Sequence, residues 1–117
     1  MSPAEVCIFC RIARGELGVS FLYEDDDVVA FKDTAPQAPV HVLVIPRRHI
    51  ASLDASDPDD DAVLSRVLLA VRDVARTLGV EQAGYRTVLN TGADAGQSVH
   101  HLHAHVLAGR HLHWPPG

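Results

Sequence analysis

Apolar residues recur along the chain with two different periods, and each period predicts one type of element. Between residues 64 and 78 they recur every three or four positions, which is the spacing of one face of an amphipathic helix. Asp57 is placed to cap this helix, Pro58 suits its first turn, and Gly79 ends it. The stripe comprises Leu64, Val67, Leu68, Val71, Val74, Ala75 and Leu78. We therefore expect one long helix over residues 58–78, packed on a sheet.

Short runs of β-branched and aromatic residues predict five strands, at residues 21–24, 28–32, 40–45, 85–90 and 99–108. The acidic residues 25–27 supply turn chemistry between the first two strands. Pro46 ends the third, because proline has no backbone donor. Residues 7–13 are expected to form a short helix that ends at Gly15. The predicted fold class is α+β: a five-stranded antiparallel sheet with one long helix and a short N-terminal helix.

Length and composition narrow the class of protein. The 117 residues fit a single domain over 1–117, and a hydrophobic fraction of 47% is ordinary for a soluble protein. The longest apolar stretch, residues 42–46, is too short for a membrane span, and the first residues lack the features of a signal peptide, so a cytoplasmic location is expected. The net charge of −5 argues against duplex nucleic acid as a partner.

The chemistry is concentrated near the C-terminus, where histidines alternate with apolar residues. His101, His103 and His105 are separated by Leu102 and Ala104, and a period of two places all three imidazoles on one face of a strand. Buried imidazoles need polar partners, a metal or a ligand. A metal-collecting tail or a solvated face would also be rich in histidine, but the interleaved apolar residues argue against a tail. A loop with two glycines, residues 91–97, precedes this run and suits a phosphate.

This pattern resembles the histidine triad (HIT) superfamily of nucleotide hydrolases and transferases. Further segments look like its Hint branch. They are residues 31–33, 35–41, 44–50 and the ending His113-Trp114-Pro115-Pro116-Gly117. The resemblance covers nearly the whole chain, from about Phe9 to the C-terminus. It implies that His103 attacks the α-phosphorus of a nucleotide, while His105 and Ser98 bind the phosphate oxygens and assist the leaving group.

The resemblance also implies a nucleotide-binding set. Its members are Asp33, Thr34, His41, Asn90, Gly96, Gln97, Ser98, His103 and His105. Asp33 would accept hydrogen bonds from the ribose hydroxyls, although an aspartate before Pro36 is also a common turn former. His41 would lie near the site, with a buried structural histidine as the alternative. Thr34 stands where the Hint branch has an apolar residue beside the base.

Both cysteines fall in Cys7-Ile8-Phe9-Cys10, a spacing typical of half a metal site. A redox pair is the competing interpretation, but no βαβ pattern surrounds the motif. Related proteins bind structural zinc through such a pair, a distant histidine and the first triad histidine. The resemblance therefore implies a zinc site made by Cys7, Cys10, His49 and His101, with no cofactor needed for the chemistry.

The function expected from this resemblance is that of a purine nucleoside phosphoramidase, which releases AMP from adenosine 5′-phosphoramidates or aminoacyl-adenylates. Dinucleoside polyphosphate hydrolysis, as in Fhit, and a non-catalytic nucleotide-binding or scaffold role are the alternatives. The Trp-Pro-Pro ending favours Hint. A homodimer with a ten-stranded sheet is expected, and a frayed C-terminus is the alternative to a docked Trp114. His100 has no assigned role, with packing at a subunit contact as the simple interpretation; His111 and His113 are expected to lie on the surface.

Overall fold

The computed structural model describes residues 6–117, and its elements follow the order expected from the sequence. Helix α1 is Ile8–Ala13, and strands β1, β2 and β3 are Tyr23–Glu24, Val28–Lys32 and Val40–Pro46. A 3-10 turn at Pro58–Asp60 leads into helix α2, Asp61–Thr77, followed by β4, Tyr85–Val88, and β5, Ala104–Ala108. The strands form one antiparallel sheet in the order β1-β2-β3-β5-β4. The predicted α+β class is therefore confirmed.

The long helix begins at a reciprocal cap. The Asp57 carboxylate accepts the backbone N–H of Asp59 at 2.8 Å, and the Asp60 carboxylate accepts the backbone N–H of Asp57 at 3.0 Å. The predicted single helix is divided here, because its first turn is tightened into 3-10 geometry. Leu68 was expected on the buried stripe but is 57% exposed, since it lies about 100° around the helix from the buried Val67. Within the described residues, no helix has both the length and the apolar character that a membrane span needs.

The two faces of the sheet are covered differently. Helix α2 packs its buried stripe across one face and closes the larger core there. On the other face, α1 places Phe9 and Ile12 against Phe31, Leu43 and Ile45. Because α1 has only six residues, it covers only part of that face. The polar side chains of β3 and β5 lie on this second face, beside α1.

Strand β5 is shorter than predicted, starting at Ala104 rather than residue 99. Ala104 pairs with Val44, and only Ile45 and Pro46 remain of β3 beyond that pair. The Pro46 carbonyl is taken by the His101 ring, and proline offers no N–H, so the ladder cannot continue. The preceding segment instead turns towards residue 50, where the backbone N–H of Leu102 donates to the carbonyl of Ile50 at 2.6 Å. Strands β1 and β4 are likewise shorter than expected, because β1 begins at Tyr23 rather than at residue 21 and β4 ends at Val88 rather than at residue 90.

Candidate active site and metal centre

The three alternating histidines share one face of the sheet, although only His105 lies within β5. His105 is paired with Leu43 of β3, whose side chain belongs to the cluster under α1. His101 and His103 precede the strand, and both rings meet the edge or face of Phe9, at centroid distances of 5.9 and 5.1 Å. Leu102, between them, is buried in the core under α2. The expected separation of imidazole and apolar faces therefore holds beyond the regular strand.

The tautomer of neutral His103 is set by a backbone contact. Its Nδ1 lies 2.8 Å from the carbonyl oxygen of His101. Because a carbonyl only accepts, Nδ1 carries the hydrogen and Nε2 of the neutral ring carries the lone pair. The residue is 7% exposed and lines a cavity on this face. His103 thus has a nucleophilic nitrogen and a fixed ring plane.

A chain of hydrogen bonds sets the tautomer of His105. The backbone N–H of Gln37 donates to His41 Nδ1 at 3.0 Å, so the hydrogen of neutral His41 lies on Nε2. That nitrogen is 2.9 Å from His105 Nδ1 and therefore donates to it. His105 Nε2 then carries a hydrogen of its own. Burial, reinforced by the neighbouring His103 and His41, lowers the pKa of His105 to about 4, so the ring is a neutral donor near pH 7.

Asp33 makes the turn contact considered from the sequence, and its second carboxylate oxygen lies beside the histidine pair. Its Oδ1 accepts the backbone N–H of Ala35 at 2.8 Å, which is a turn contact. Its Oδ2 lies 3.4 Å from His41 Nε2, at the edge of the histidine pair. One carboxylate oxygen therefore stabilises the turn, while the other faces the site.

Beside these groups lies a cavity of about 440 Å³, which we call the nucleoside cavity after the ligand that the family resemblance implies. Most of its wall is apolar and comes from α1, the following loop and the sheet. Its lining comprises Ile8, Phe9, Ile12, Leu17, Val19, Phe31, Lys32, Asp33, Thr34, Leu43, Ser98, Val99, His103 and His105. Apolar walls with a few polar groups at one end are typical of a small-molecule site. Thr34 is exposed at the rim.

The loop before the triad is held by Gln97. The Gln97 side chain accepts the backbone N–H of Gly92 at 2.9 Å and donates to the carbonyl of Ala51 at 2.8 Å. Gly96 has a φ of +83°, a conformation that favours glycine. Ser98, directly after Gln97, lines the nucleoside cavity, whereas Asn90 lines a second cavity over β4 and β5, beside the C-terminal residues. Of the predicted nucleotide contacts, the structure brings together Asp33, Thr34, His41, Ser98, His103 and His105, whereas Asn90 lines the second cavity.

The predicted metal ligands converge, and we call them the metal cluster: Cys7, Cys10, His49 and His101. Cys7 Sγ and Cys10 Sγ lie 3.3 and 3.4 Å from His101 Nδ1, and Cys10 Sγ lies 3.2 Å from His49 Nδ1. All four ligand atoms are within 4.8 Å of one another. In tetrahedral zinc sites with bonds of about 2.0–2.3 Å, neighbouring ligand atoms are about 3.3–3.8 Å apart.

The chemistry of the donors also fits a metal. His101 Nε2 donates to the carbonyl of Pro46 at 2.8 Å, which leaves the Nδ1 lone pair directed at the two sulfurs. Burial lowers the pKa of His101 to about 4 and so keeps the ring neutral, as a ligand requires. Burial and the neighbouring Cys7 raise the pKa of Cys10 to about 11, so a pair of thiolates here needs a cation. The residues present therefore fit zinc.

Asp33, His41 and His105 form a second group with ligand atoms close together, but its hydrogen bonds argue against a metal. A cation between the rings would need the lone pair of His41 Nε2. The hydrogen would then move to Nδ1, where it would oppose the N–H of Gln37 at 3.0 Å. This group is better described as a hydrogen-bonded relay.

Two functional features were not predicted from the sequence. The apolar wall of the nucleoside cavity was missed, because Phe9, Ile12 and Leu17 resemble ordinary core positions. The exposure of Ile8 and Leu17, at 50% and 41%, becomes visible only in the fold. The contact between His41 and His105 was also missed, because it joins residues 64 positions apart and depends on the β3–β5 register.

The chain is similar in sequence and fold to known HIT proteins. A family model described as HIT domain matches residues 14–112. The chain is 49% identical over 114 residues to an uncharacterized HIT-like protein of Synechocystis sp., covering 97% of this chain and 99% of the relative. It is similar to the crystal structure of a HIT family hydrolase from Legionella pneumophila, with a TM-score of 0.91, 42% identity and coverage of 95% and 99%. A histidine triad nucleotide-binding protein from Candida albicans gives a TM-score of 0.79 at 35% identity, with coverage of 93% and 82%.

Proposed function

Because the chain belongs to the HIT domain family and has the fold of a HIT family hydrolase, we propose that it is a nucleotide hydrolase that releases AMP from adenosine 5′-phosphoramidates or aminoacyl-adenylates. The observation that carries this proposal is the state of His103. Its Nδ1–H is held by the His101 carbonyl, which leaves a nucleophilic Nε2 in a ring that lines the nucleoside cavity.

The reaction proceeds in two displacements at phosphorus. In the first, His103 Nε2 bonds to the α-phosphorus and the P–N bond to the amine breaks, with solvent supplying the proton that leaves on the amine. The His103 ring becomes cationic, and its Nδ1–H to the His101 carbonyl stabilises that charge. In the second, water attacks the phosphorus, the P–Nε2 bond breaks, and a proton returns to solvent. The products are AMP and the free amine.

His105 and Ser98 assist both displacements. The relay from Gln37 through His41 presents the Nε2–H of His105 as a donor to a phosphate oxygen or to the leaving group. The Ser98 hydroxyl lies at the wall of the same cavity and is exposed, so it is accessible to the leaving amine. A neutral donor of this kind stabilises developing charge without itself having to be deprotonated.

The nucleoside occupies the cavity beside the phosphate. Phe9, Ile12 and Phe31 bury the base, and Asp33 accepts hydrogen bonds from the ribose hydroxyls through Oδ2. A volume of about 440 Å³ is adequate for a nucleoside. The Thr34 hydroxyl at the rim adds a polar group beside the base.

Zinc is the metal that best matches the metal cluster. When bound to Cys7, Cys10, His49 and His101 it supplies cross-links between distant segments rather than Lewis-acid chemistry at the phosphate. Among the described hydrogen bonds, the cluster reaches His103 only through His101. The ligands thereby divide the triad into a metal-binding histidine and two phosphate-facing histidines.

We also infer a two-fold homodimer with one ten-stranded sheet. Within the described residues, β4 is an edge strand of the sheet, so one of its edges is open to pairing with another strand. Leu68 and Trp114, 57% and 81% exposed, are large apolar side chains without cover in one copy. Light scattering at micromolar concentration is expected to give twice the monomer mass, and a monomer mass would reject the dimer.

AMP release by wild-type protein and by His103→Ala tests the proposed function. We expect turnover of adenosine 5′-phosphoramidate, and a loss of several orders of magnitude in kcat for the variant, which should still bind AMP in calorimetry. His100→Ala is the control, and its rate should stay within about tenfold of wild type. Faster hydrolysis of diadenosine triphosphate would support the dinucleotide alternative. AMP binding without any turnover would support a binding protein.

A further inference from the structure

The metal cluster lies close to His103, the nucleophile of the proposed reaction. Helix α1 begins directly after Cys7 and contains Cys10, so two metal ligands flank its first turn. Phe9 stands between them in sequence, and its ring meets the His103 ring at 5.1 Å with an interplanar angle of 87°. A metal ion bound to both cysteines would therefore also restrain Phe9, whose side chain packs against His103.

A second contact runs through the backbone. Cys7 Sγ and Cys10 Sγ lie 3.3 and 3.4 Å from His101 Nδ1, and the carbonyl of the same His101 accepts the Nδ1–H of His103 at 2.8 Å. The other nitrogen of His101 is fixed by the Pro46 carbonyl at 2.8 Å. With a metal on Nδ1, both nitrogens of His101 are fixed, and its carbonyl is restrained from the ring side as well as through the Leu102 N–H that donates to the Ile50 carbonyl.

We propose that the metal cluster positions the nucleophile: metal bound between α1 and His101 aligns the His103 ring for attack through Phe9 and through the His101 carbonyl. This inference rests on the proposed function only for the role of His103. Phe9 and His101 are positioning residues, because they act through His103 rather than on the substrate's phosphorus. The metal would therefore affect the rate of the chemical step as well as the stability of the fold.

The described contacts of His103 explain why alignment depends on so few groups. Its one hydrogen bond goes to the His101 carbonyl, and its aromatic neighbours are Phe9 and His105, the latter at 4.9 Å. If α1 or His101 shifts, His105 is the one of these described neighbours that remains, and it makes no described hydrogen bond to the His103 ring. A misplacement of about 1 Å can cost on the order of a hundredfold in rate.

Phe9→Leu and its matched control Phe31→Leu test the side-chain contact with the metal still bound. Both phenylalanines line the nucleoside cavity and their rings are 5.8 Å apart, but only Phe9 contacts His103. Both variants are expected to raise KM. Only Phe9→Leu is expected to lower the single-turnover rate at saturating substrate by about tenfold or more, with unchanged metal content. Equal single-turnover rates for the two variants would overturn the role of Phe9.

The metal itself is tested by removal and by cobalt substitution. At a temperature where circular dichroism shows the metal-free chain folded, its single-turnover rate should fall at least tenfold and return when Zn²⁺ is added. In the Co²⁺ protein, saturation with AMP should shift the thiolate-to-cobalt absorption bands, because coupling between two sites is reciprocal. This optical measurement remains decisive if the metal-free chain unfolds.

The outcomes separate the two proposals. If wild-type protein releases no AMP from any phosphoramidate, the proposed function fails. If wild-type protein is active but metal removal changes the single-turnover rate by less than threefold, the positioning role is wrong and the zinc is structural only. Cobalt bands that do not move when AMP binds would also contradict the positioning role.

Discussion

Replacing His41 tests the relay that sets the tautomer of His105. In His41→Leu the donor 2.9 Å from His105 Nδ1 is lost, while an apolar side chain of similar size fills the space. The hydrogen of His105 is then free to move to Nδ1, or the ring is free to rotate. In either case Nε2 no longer reliably donates to the phosphate. His41→Gln is the matched variant, because its side-chain amide again offers an N–H near the same position.

The size of the effect follows from the hydrogen bond that is lost. A hydrogen bond to a charged group is worth about 1.5–3 kcal/mol. At about 1.4 kcal/mol per decade, its loss in the transition state lowers kcat by roughly tenfold to a hundredfold. His41→Gln should restore kcat to within about fivefold of wild type. The loss should appear mainly in kcat, because the nucleoside cavity is otherwise unchanged.

The assay is steady-state AMP release, with thermal melting and AMP calorimetry on each variant. Melting curves identify variants that fail to fold, and calorimetry separates ground-state binding from the chemical step. A folded His41→Leu protein with kcat within twofold of wild type would refute the relay. Equal losses in the Leu and Gln variants would show that His41 acts by packing rather than by donating a hydrogen bond.

Two further predictions concern stability. Cys10→Ala should reduce bound zinc to less than about a tenth of an equivalent in metal analysis and lower the melting temperature, because structural zinc contributes directly to folding; stoichiometric zinc in this variant would contradict the ligand assignment. Burial raises the pKa of Asp25, but hydrogen bonds from Tyr23, Arg66 and the backbone outweigh it and lower the pKa from 3.8 to about 2. Since the folded pKa lies below the unfolded one, the stabilisation is present above about pH 4 and is lost as the pH falls towards 2. Asp25→Asn should therefore lower the free energy of unfolding at pH 7 by about 1–2 kcal/mol after solvent screening, and denaturant titrations of the two proteins should converge near pH 2; a constant difference across this range would contradict the linkage.

The sequence predicted the two faces of the triad segment better than its extent. Alternation of His101, Leu102 and His103 reports which side each residue faces, and burial confirms it. The start of β5 depends on Pro46, which lies on a different strand and opposes the missing part of the ladder. A local pattern does not contain that information.

The candidate site shows the same division between local and distant information. The four metal ligands were predicted from a short spacing and a family resemblance, and the fold brings them within 4.8 Å of one another. The tautomer of His105 could not be predicted, because it depends on a backbone N–H of Gln37 and on a cross-strand contact. Phe9 could not be distinguished from a core residue, since its contact with His103 exists only once α1 is docked.

Mass spectrometry of enzyme quenched during turnover tests the central claim most directly. We expect a peptide containing His103 whose mass is increased by one adenylyl group, with the increment on the His103 side chain. The peptide should accumulate when hydrolysis is slowed, and it should be absent from His103→Ala. Active enzyme that never shows this peptide, or that carries the adenylyl group on His105 instead, would contradict nucleophilic attack by His103.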